Sequence, residues 1–349
     1  SPTNASAPTF TVNFSETVSG LAASDFTTSG TATGCVIGTP SATSGTSMTV
    51  SVSGCSEGTL GLTLAANGVT DTAGNTGPST SASSSTITID RTGPALSLAK
   101  SALQANPANS SLISFTLTSN ETLDTSTVTA SDFTVTNGST PTVSCSGTSC
   151  TITTTATGQG DVSIAPSGTF SVADPSGNTT TTASGTDRTV TFDSVAPTLT
   201  LEQATGQADP AKANPINFTL TGSEALLAST VTSSDFTATN GTIGTISCSG
   251  SSCTIPVTAS AQGTVSLAPS GTFSVTDPAG NAATTASGTD RSVTYDTVVP
   301  TATVTAPASP TNASAPTFTV NFSETVSGLA ASDFTTSGTA TGCVIGTPS

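Results

Sequence analysis

The first 41 residues of this chain, Ser1 to Ser41, return letter for letter as Ser309 to Ser349. A chain that repeats itself at a fixed distance, here 308 residues, has to be read as an array of units before any fold is considered. Identity this complete leaves no trace of drift between copies. The chain is therefore expected to be one period and a fraction of a longer repetitive polypeptide. A shorter period lies inside the long one. Asp90, Asp193 and Asp296 each stand four residues before a proline (Pro94, Pro197 and Pro300), and they follow one another at intervals of 103. That spacing divides the sequence into units 1–91, 92–194 and 195–297, with 298–349 repeating the front of the first. On this division the first unit begins without its opening strand, and Thr301 to Thr305 carries the equivalent sequence near the other end.

Each unit runs through the same succession of elements. Phe10-Thr11-Val12-Asn13-Phe14 alternates with period two and predicts a half-buried strand, matched by Ile113 to Leu117 and Ile216 to Leu220. Ser24-Asp25-Phe26-Thr27 recurs as Ser131-Asp132-Phe133-Thr134 and Ser234-Asp235-Phe236-Thr237. A hairpin carrying cysteines follows, then a strand such as Asp161 to Ala165, then a turn of Asp-x-x-Gly-Asn form. Ile87 to Ile89, Val190 to Phe192 and Val293 to Tyr295 close the units. About seven short strands per hundred residues, with turn signals between them, predict an immunoglobulin-like β-sandwich. Composition agrees, since only 7% of residues are charged and Ser, Thr, Gly and Ala fill the gap, leaving few helix formers. The expected class is all-β, with tandem immunoglobulin-like sandwiches in an extended rod, each adding roughly 33 Å. Phe10, Phe14, Phe26, Phe115, Phe133, Phe170, Phe218, Phe236 and Phe273 are the expected aromatic core.

The stretch Phe10 to Thr27 (FTVNFSETVSGLAASDFT), with Val69 to Asn75 (VTDTAGN) beyond it, resembles the bacterial immunoglobulin-like repeats of large surface adhesins and biofilm matrix proteins. The other units carry weaker versions. Glu121 and Glu224 match Glu16, while Asp174 to Asn178 and Asp277 to Asn281 match Asp71 to Asn75. The resemblance implies a sandwich fold, tandem display outside the cell and, in several relatives, calcium bound at or near domain junctions.

Seven cysteines form an odd set until the repeat is applied. Cys145 and Cys150 flank a four-residue turn, as do Cys248 and Cys253, so each pair could staple a tight hairpin. Cys35 and Cys55 lie at the open end of the corresponding hairpin in the first unit, and Cys343 is Cys35 again. Six cysteines per period then pair evenly. With no histidine and no Cys-x-x-Cys spacing, a zinc site is disfavoured. Disulfides place the chain in an extracellular or cell-surface setting.

Formal net charge is −16, with 21 acids, 5 bases, no histidine and one tyrosine. That balance lacks the basic footprint a nucleic-acid partner requires, and no apolar run reaches the ~20 residues needed for membrane insertion. General bases are reduced to scattered carboxylates, and no nucleophile elbow or phosphate loop occurs, so the chain is read as non-enzymatic. The recurrent acids are the candidate metal ligands: Glu16, Asp25, Asp71 (with Asn75) and Asp90, then Glu121, Asp132, Asp174 and Asp193, then Glu224, Asp235, Asp277 and Asp296. Hard oxygens of this kind suit Ca²⁺, and apart from that ion no cofactor is expected. Asp71, Asp90 and Glu16 are expected to meet at one pole, with one ion per junction. A plainer reading stands beside it, in which Asp71 opens a turn and Asp25 orders the chain before Phe26.

The expected function is a structural repeat unit of an extracellular filament or adhesin stalk. Its expected partners are neighbouring copies of the same repeat, with lateral bundling, because few charges guard the edge strands. The alternatives are an adhesive module for a glycan or receptor, or a pilus-like subunit polymerising by strand complementation.

Overall fold

A computed structural model describes residues 2 to 349. Among the described residues the chain is all-β, and its helical pieces are three-residue 3-10 turns. It divides into two compact units. One comprises residues up to Pro197 together with Thr276–Ala282, the other Thr198–Val275 together with Ala283–Ser349. Two hydrophobic cores lie in the first unit and one in the second, each within its own sandwich.

Residues 94–193 show the pattern whole. Leu96–Lys100, Leu112–Ser119, Ser149–Thr155 and Thr142–Ser146 form a four-stranded antiparallel sheet in that spatial order. Phe133–Thr136, Gly160–Pro166 and Thr189–Phe192 form a three-stranded one. Four strands facing three is the immunoglobulin constant-type arrangement. Strict alternation turns Ile113, Phe115, Leu117, Ile152, Val162 and Val190 inward, and all six are fully buried. The sandwich in the second unit repeats the plan with Leu199–Gln203, Ile216–Gly222 and Ser252–Ala259 on one side. Phe236–Thr239, Gly263–Pro269 and Ser292–Tyr295 stand on the other. Phe133 and Phe170 meet edge to face at 5.9 Å, and Phe236 and Phe273 do so at 5.7 Å, a geometry the ring quadrupoles favour.

The pairing corrects one sequence match. Ala302 pairs with Phe322 as Leu96 pairs with Ser119, so Phe14, which Phe322 repeats, corresponds to Ser119 and not to Leu117. Phe10 therefore stands where Phe115 and Phe218 stand, two residues from the expected match. The slip comes from a longer segment ahead of the strand, since Phe115 follows Asp90 by 25 residues whereas Phe318, the repeat of Phe10, follows Asp296 by 22. A two-residue slip preserves the inward face, so the pattern alone could not show it.

The first sandwich differs in completeness. Thr9–Ser19 pairs with Ser44–Ser53 on one edge and touches Val69–Asp71 only at its far end, through Val18 and Ser19. Among the described residues no strand stands beside Thr11–Phe14 on that second edge. Phe10 and Phe14 are consequently half-buried, against the expectation that they close the core, whereas Phe26 is buried as expected.

The three disulfides form as the spacing predicts, Cys35–Cys55, Cys145–Cys150 and Cys248–Cys253. Cys145 and Cys150 are direct cross-strand partners around a turn in which Gly147 takes φ +57°, a conformation that favours glycine. Three of the few cations serve as internal clamps. Arg91 donates to the carbonyls of Cys55 and Ala5, Arg188 to those of Ala183, Ser184 and Leu98, and Arg291 to those of Ala286 and Leu201.

Candidate metal centre

The acids separate into two groups by what their oxygens do. Asp25, Asp132 and Asp235 end short 3-10 turns and reach back to the backbone. Asp25 Oδ2 accepts from the Ala22 N–H at 2.8 Å. Asp132 Oδ2 accepts from the Thr129 N–H and hydroxyl at 2.7 and 2.8 Å, and Asp235 does the same with Thr232. These residues order the chain before Phe26, Phe133 and Phe236, the plainer of the two readings. They stand outside the acid cluster described next.

Asp90, Glu121 and Asp174 converge instead, each offering a carboxyl oxygen within 4.8 Å of the others. Asp90 follows the closing strand of the first sandwich. Glu121 follows the second strand of the next, and Asp174 opens that sandwich's Asp-x-x-Gly-Asn turn. The expected meeting of Asp90 with Glu16 and Asp71 is not what the structure shows. The closing strand delivers Asp90 to the pole of the following sandwich, so its companions are the counterparts of Glu16 and Asp71 in the next unit.

Asparagine fastens the cluster. Asn178 donates its backbone N–H and side-chain amide to Asp174 at 2.9 and 2.8 Å, and the same amide reaches the Asp90 carbonyl at 3.0 Å. Ser176 donates to Asp90 Oδ2 at 2.9 Å. Asp174 is buried with only 1% exposure, and Asp90 and Glu121 are half-buried. Burial raises the Glu121 pKa above its ordinary 4.5, and the nearby charges of Asp90, Asp174 and Glu57 add to the rise. Glu57 itself is lowered, first by the Thr92 hydroxyl at 2.7 Å and then by the Arg91 N–H at 2.9 Å.

This donor set fits a hard divalent cation. Calcium binds oxygens at about 2.4 Å, so ligands on opposite sides lie about 4.8 Å apart. In the first sandwich the corresponding turn is more open. Asp71 accepts from the backbone N–H groups of Ala73 and Asn75 and from the Asn75 amide, and these bonds, the amide's foremost, lower its pKa. Asn281 repeats the fastening role of Asn178, donating to Asp277 and to the Asp193 carbonyl. Glu224 belongs to the second unit. Asp296 Oδ1 accepts from the Val298 N–H at 2.9 Å. In the repeated segment, Oε1 of Glu324 (Glu16 again) is enclosed with no hydrogen-bond partner among the described residues.

The fold and cluster together define a tandem array of immunoglobulin-like sandwiches. No protein-family model matches the sequence, and no curated protein matches it. Among solved structures, the chain is similar to the Escherichia coli adhesin FdeC at 13% identity and a TM-score of 0.41, covering 84% of this chain and 98% of that one. It is similar to invasin, a bacterial integrin-binding protein, at 12% identity and a TM-score of 0.30, covering 75% of this chain and 56% of invasin. A third likeness, at 13% identity and a TM-score of 0.20, is to domains 1–6 of the surface-layer protein SbsC, covering 92% of this chain and 62% of that one.

Proposed function

We propose that this chain is a non-catalytic structural repeat of an extracellular filament or adhesin stalk, in which a calcium ion ties one sandwich to the next. The observation that carries the reading is the convergence of Asp90 with Glu121 and Asp174, acids from two successive sandwiches. Asp90, Glu121 and Asp174 would hold the ion, which would supply the positive charge that three converging carboxyls lack. The enclosed, unpartnered oxygen of Glu324 supports the same role for the glutamate of this motif. Three disulfides support an oxidising, extracellular setting.

Thermal unfolding in calcium and in chelator tests the ion. Extracellular calcium modules bind at about 0.1–1 mM, so calcium well above that range should raise Tm by several degrees, and an unchanged Tm sinks the cation. Solid-phase binding of the chain to glycans and receptor ectodomains tests the stalk. Saturable binding to any of them would favour the adhesive module instead.

A further inference from the structure

Both tight disulfide hairpins end against the loop that carries the motif's glutamate. In the sandwich of residues 94–193, the Ser119 N–H donates to the Thr148 carbonyl at 2.8 Å, and the Leu123 N–H to the Gly147 carbonyl at 3.0 Å. These two bonds fall on either side of Glu121. Both acceptors belong to the four-residue tip between Cys145 and Cys150. In the second unit the Gly222 N–H donates to the Ser251 carbonyl at 2.8 Å and the Leu226 N–H to that of Gly250 at 2.9 Å. They bracket Glu224 in the same way, from the tip between Cys248 and Cys253.

Burial does little to hold the first of these tips. Ser146, Gly147, Thr148 and Ser149 are all exposed. Cys150, by contrast, is fully buried and stands opposite Leu117 in the sheet, so the disulfide ties an exposed turn to the edge of the core. Beyond Glu121, Leu123 is buried, and the Asp124 N–H donates at 2.8 Å to the carbonyl of Ala173, the residue before Asp174. Staple, glutamate loop and Asp174 turn therefore form one connected run. The first sandwich is built otherwise. Its Glu16 lies within the strand Thr9–Ser19, and Cys35–Cys55 closes the open end of the hairpin instead of its tip.

We propose that the Cys145–Cys150 disulfide positions Glu121 for the cation, so that bound calcium and the oxidised hairpin favour each other. The inference rests on the calcium reading above and adds its regulation. Once the disulfide is opened, the exposed turn is free to fray, and its two carbonyls no longer fix the loop on both sides of the glutamate. A ligand group that must be ordered at the moment of binding costs affinity. Linkage makes the effect reciprocal. Whatever factor the disulfide adds to calcium affinity, calcium adds to the disulfide's resistance to reduction. The bracket around Glu224 gives Cys248–Cys253 the same role toward its own loop.

Equilibrating the unsubstituted full chain with dithiothreitol tests the linkage. Reduction yields two cysteine thiols and the cyclic disulfide of the reagent, and alkylation followed by peptide mass reads Cys145 and Cys150 by themselves. Saturating calcium should raise the reduced-to-oxidised dithiothreitol ratio at half-reduction about five-fold or more. In the Glu121→Gln chain that shift should disappear. Amide exchange gives a readout without the ion. In calcium-free buffer, Cys145→Ala with Cys150→Ala should speed exchange at Ser119 and Leu123 while Gly160–Pro166, on the opposite sheet, keeps its protection. If that sheet loses protection too, the double variant has unfolded and the dithiothreitol equilibrium of the unsubstituted chain decides. Equal half-reduction points with and without calcium, in a chain that calorimetry shows to bind the ion, would overturn the proposal and leave the calcium reading standing. A shift that persists in Glu121→Gln would also overturn it, as would unchanged exchange at Ser119 and Leu123. A chain that binds no calcium overturns both.

Discussion

Ser1 to Ser41 and Ser309 to Ser349 share every residue and little structure. In the first copy Thr9–Ser19 is an eleven-residue strand, Leu21 is fully buried and Cys35 is disulfide-bonded to Cys55. In the second, the strand shrinks to Thr319–Phe322, Leu329 is 40% exposed and Cys343 is a free, exposed thiol. What survives in both is local. Ala23–Asp25 and Ala331–Asp333 form the same 3-10 turn, and Asp25 and Asp333 accept the same backbone hydrogen bond at 2.8 Å. The short-range turn is written into the segment itself. The long strand and the buried side chains depend on Ser44–Ser53, Gly58–Leu64 and Val69–Asp71 packing on it, as tertiary context outweighs propensity in strands.

Paired substitutions sharpen the contrast. Leu21→Ala should cost about 2–5 kcal/mol, the range for emptying a closed core, while Leu329→Ala should change unfolding by under about 0.5 kcal/mol. Equal effects on denaturant midpoints would mean that both copies pack alike. Cys35→Ser with Cys55→Ser opens a loop with a sequence separation of 20 and should cost about 3 kcal/mol by the chain-entropy estimate. Cys343→Ser should leave the melt unchanged. Asp25→Ala removes the cap of a turn tied to a core and should cost about 1 kcal/mol. Asp333→Ala removes the same bond without touching the cooperative transition, which calorimetry can read.

The smallest effect concerns Glu121, whose pKa lies above its ordinary value when folded. A raised carboxyl pKa favours the protonated, folded form. Its contribution is therefore present below pH 4.5 and lost as pH rises through the raised value. In chelator, Glu121→Gln should raise Tm slightly at neutral pH and flatten the pH dependence just above that range. In calcium it should lower Tm, because a ligand is gone. A variant that behaves alike in both solutions would separate the acid cluster from any cation.

Much of the fold was legible because the signals were short-range. Alternation marked the strands, the Cys-Ser-Gly-Thr/Ser-Ser-Cys runs marked hairpins, and the Ser-Asp-Phe runs marked turns before a buried ring. Three things were not legible. The two-residue slip of Phe10 against Phe115 preserves the inward face and so leaves the pattern intact. The company Asp90 keeps depends on which pole the closing strand reaches, a matter of topology rather than spacing. The clamps made by Arg188 and Arg291 went unread, although the repeated Gly-Thr-Asp-Arg at 185–188 and 288–291 was a signal in plain view.

Amide hydrogen exchange on the intact chain tests the central contrast most directly. A proteolytic peptide covering Thr9 to Phe26 has the same mass as one covering Thr317 to Phe334, so the two copies report in a single mass envelope. Burial-dependent folding predicts two populations of equal size in that envelope, one slow to exchange and one fast. A single envelope, slow or fast, would show that the two copies are folded alike and would contradict the account.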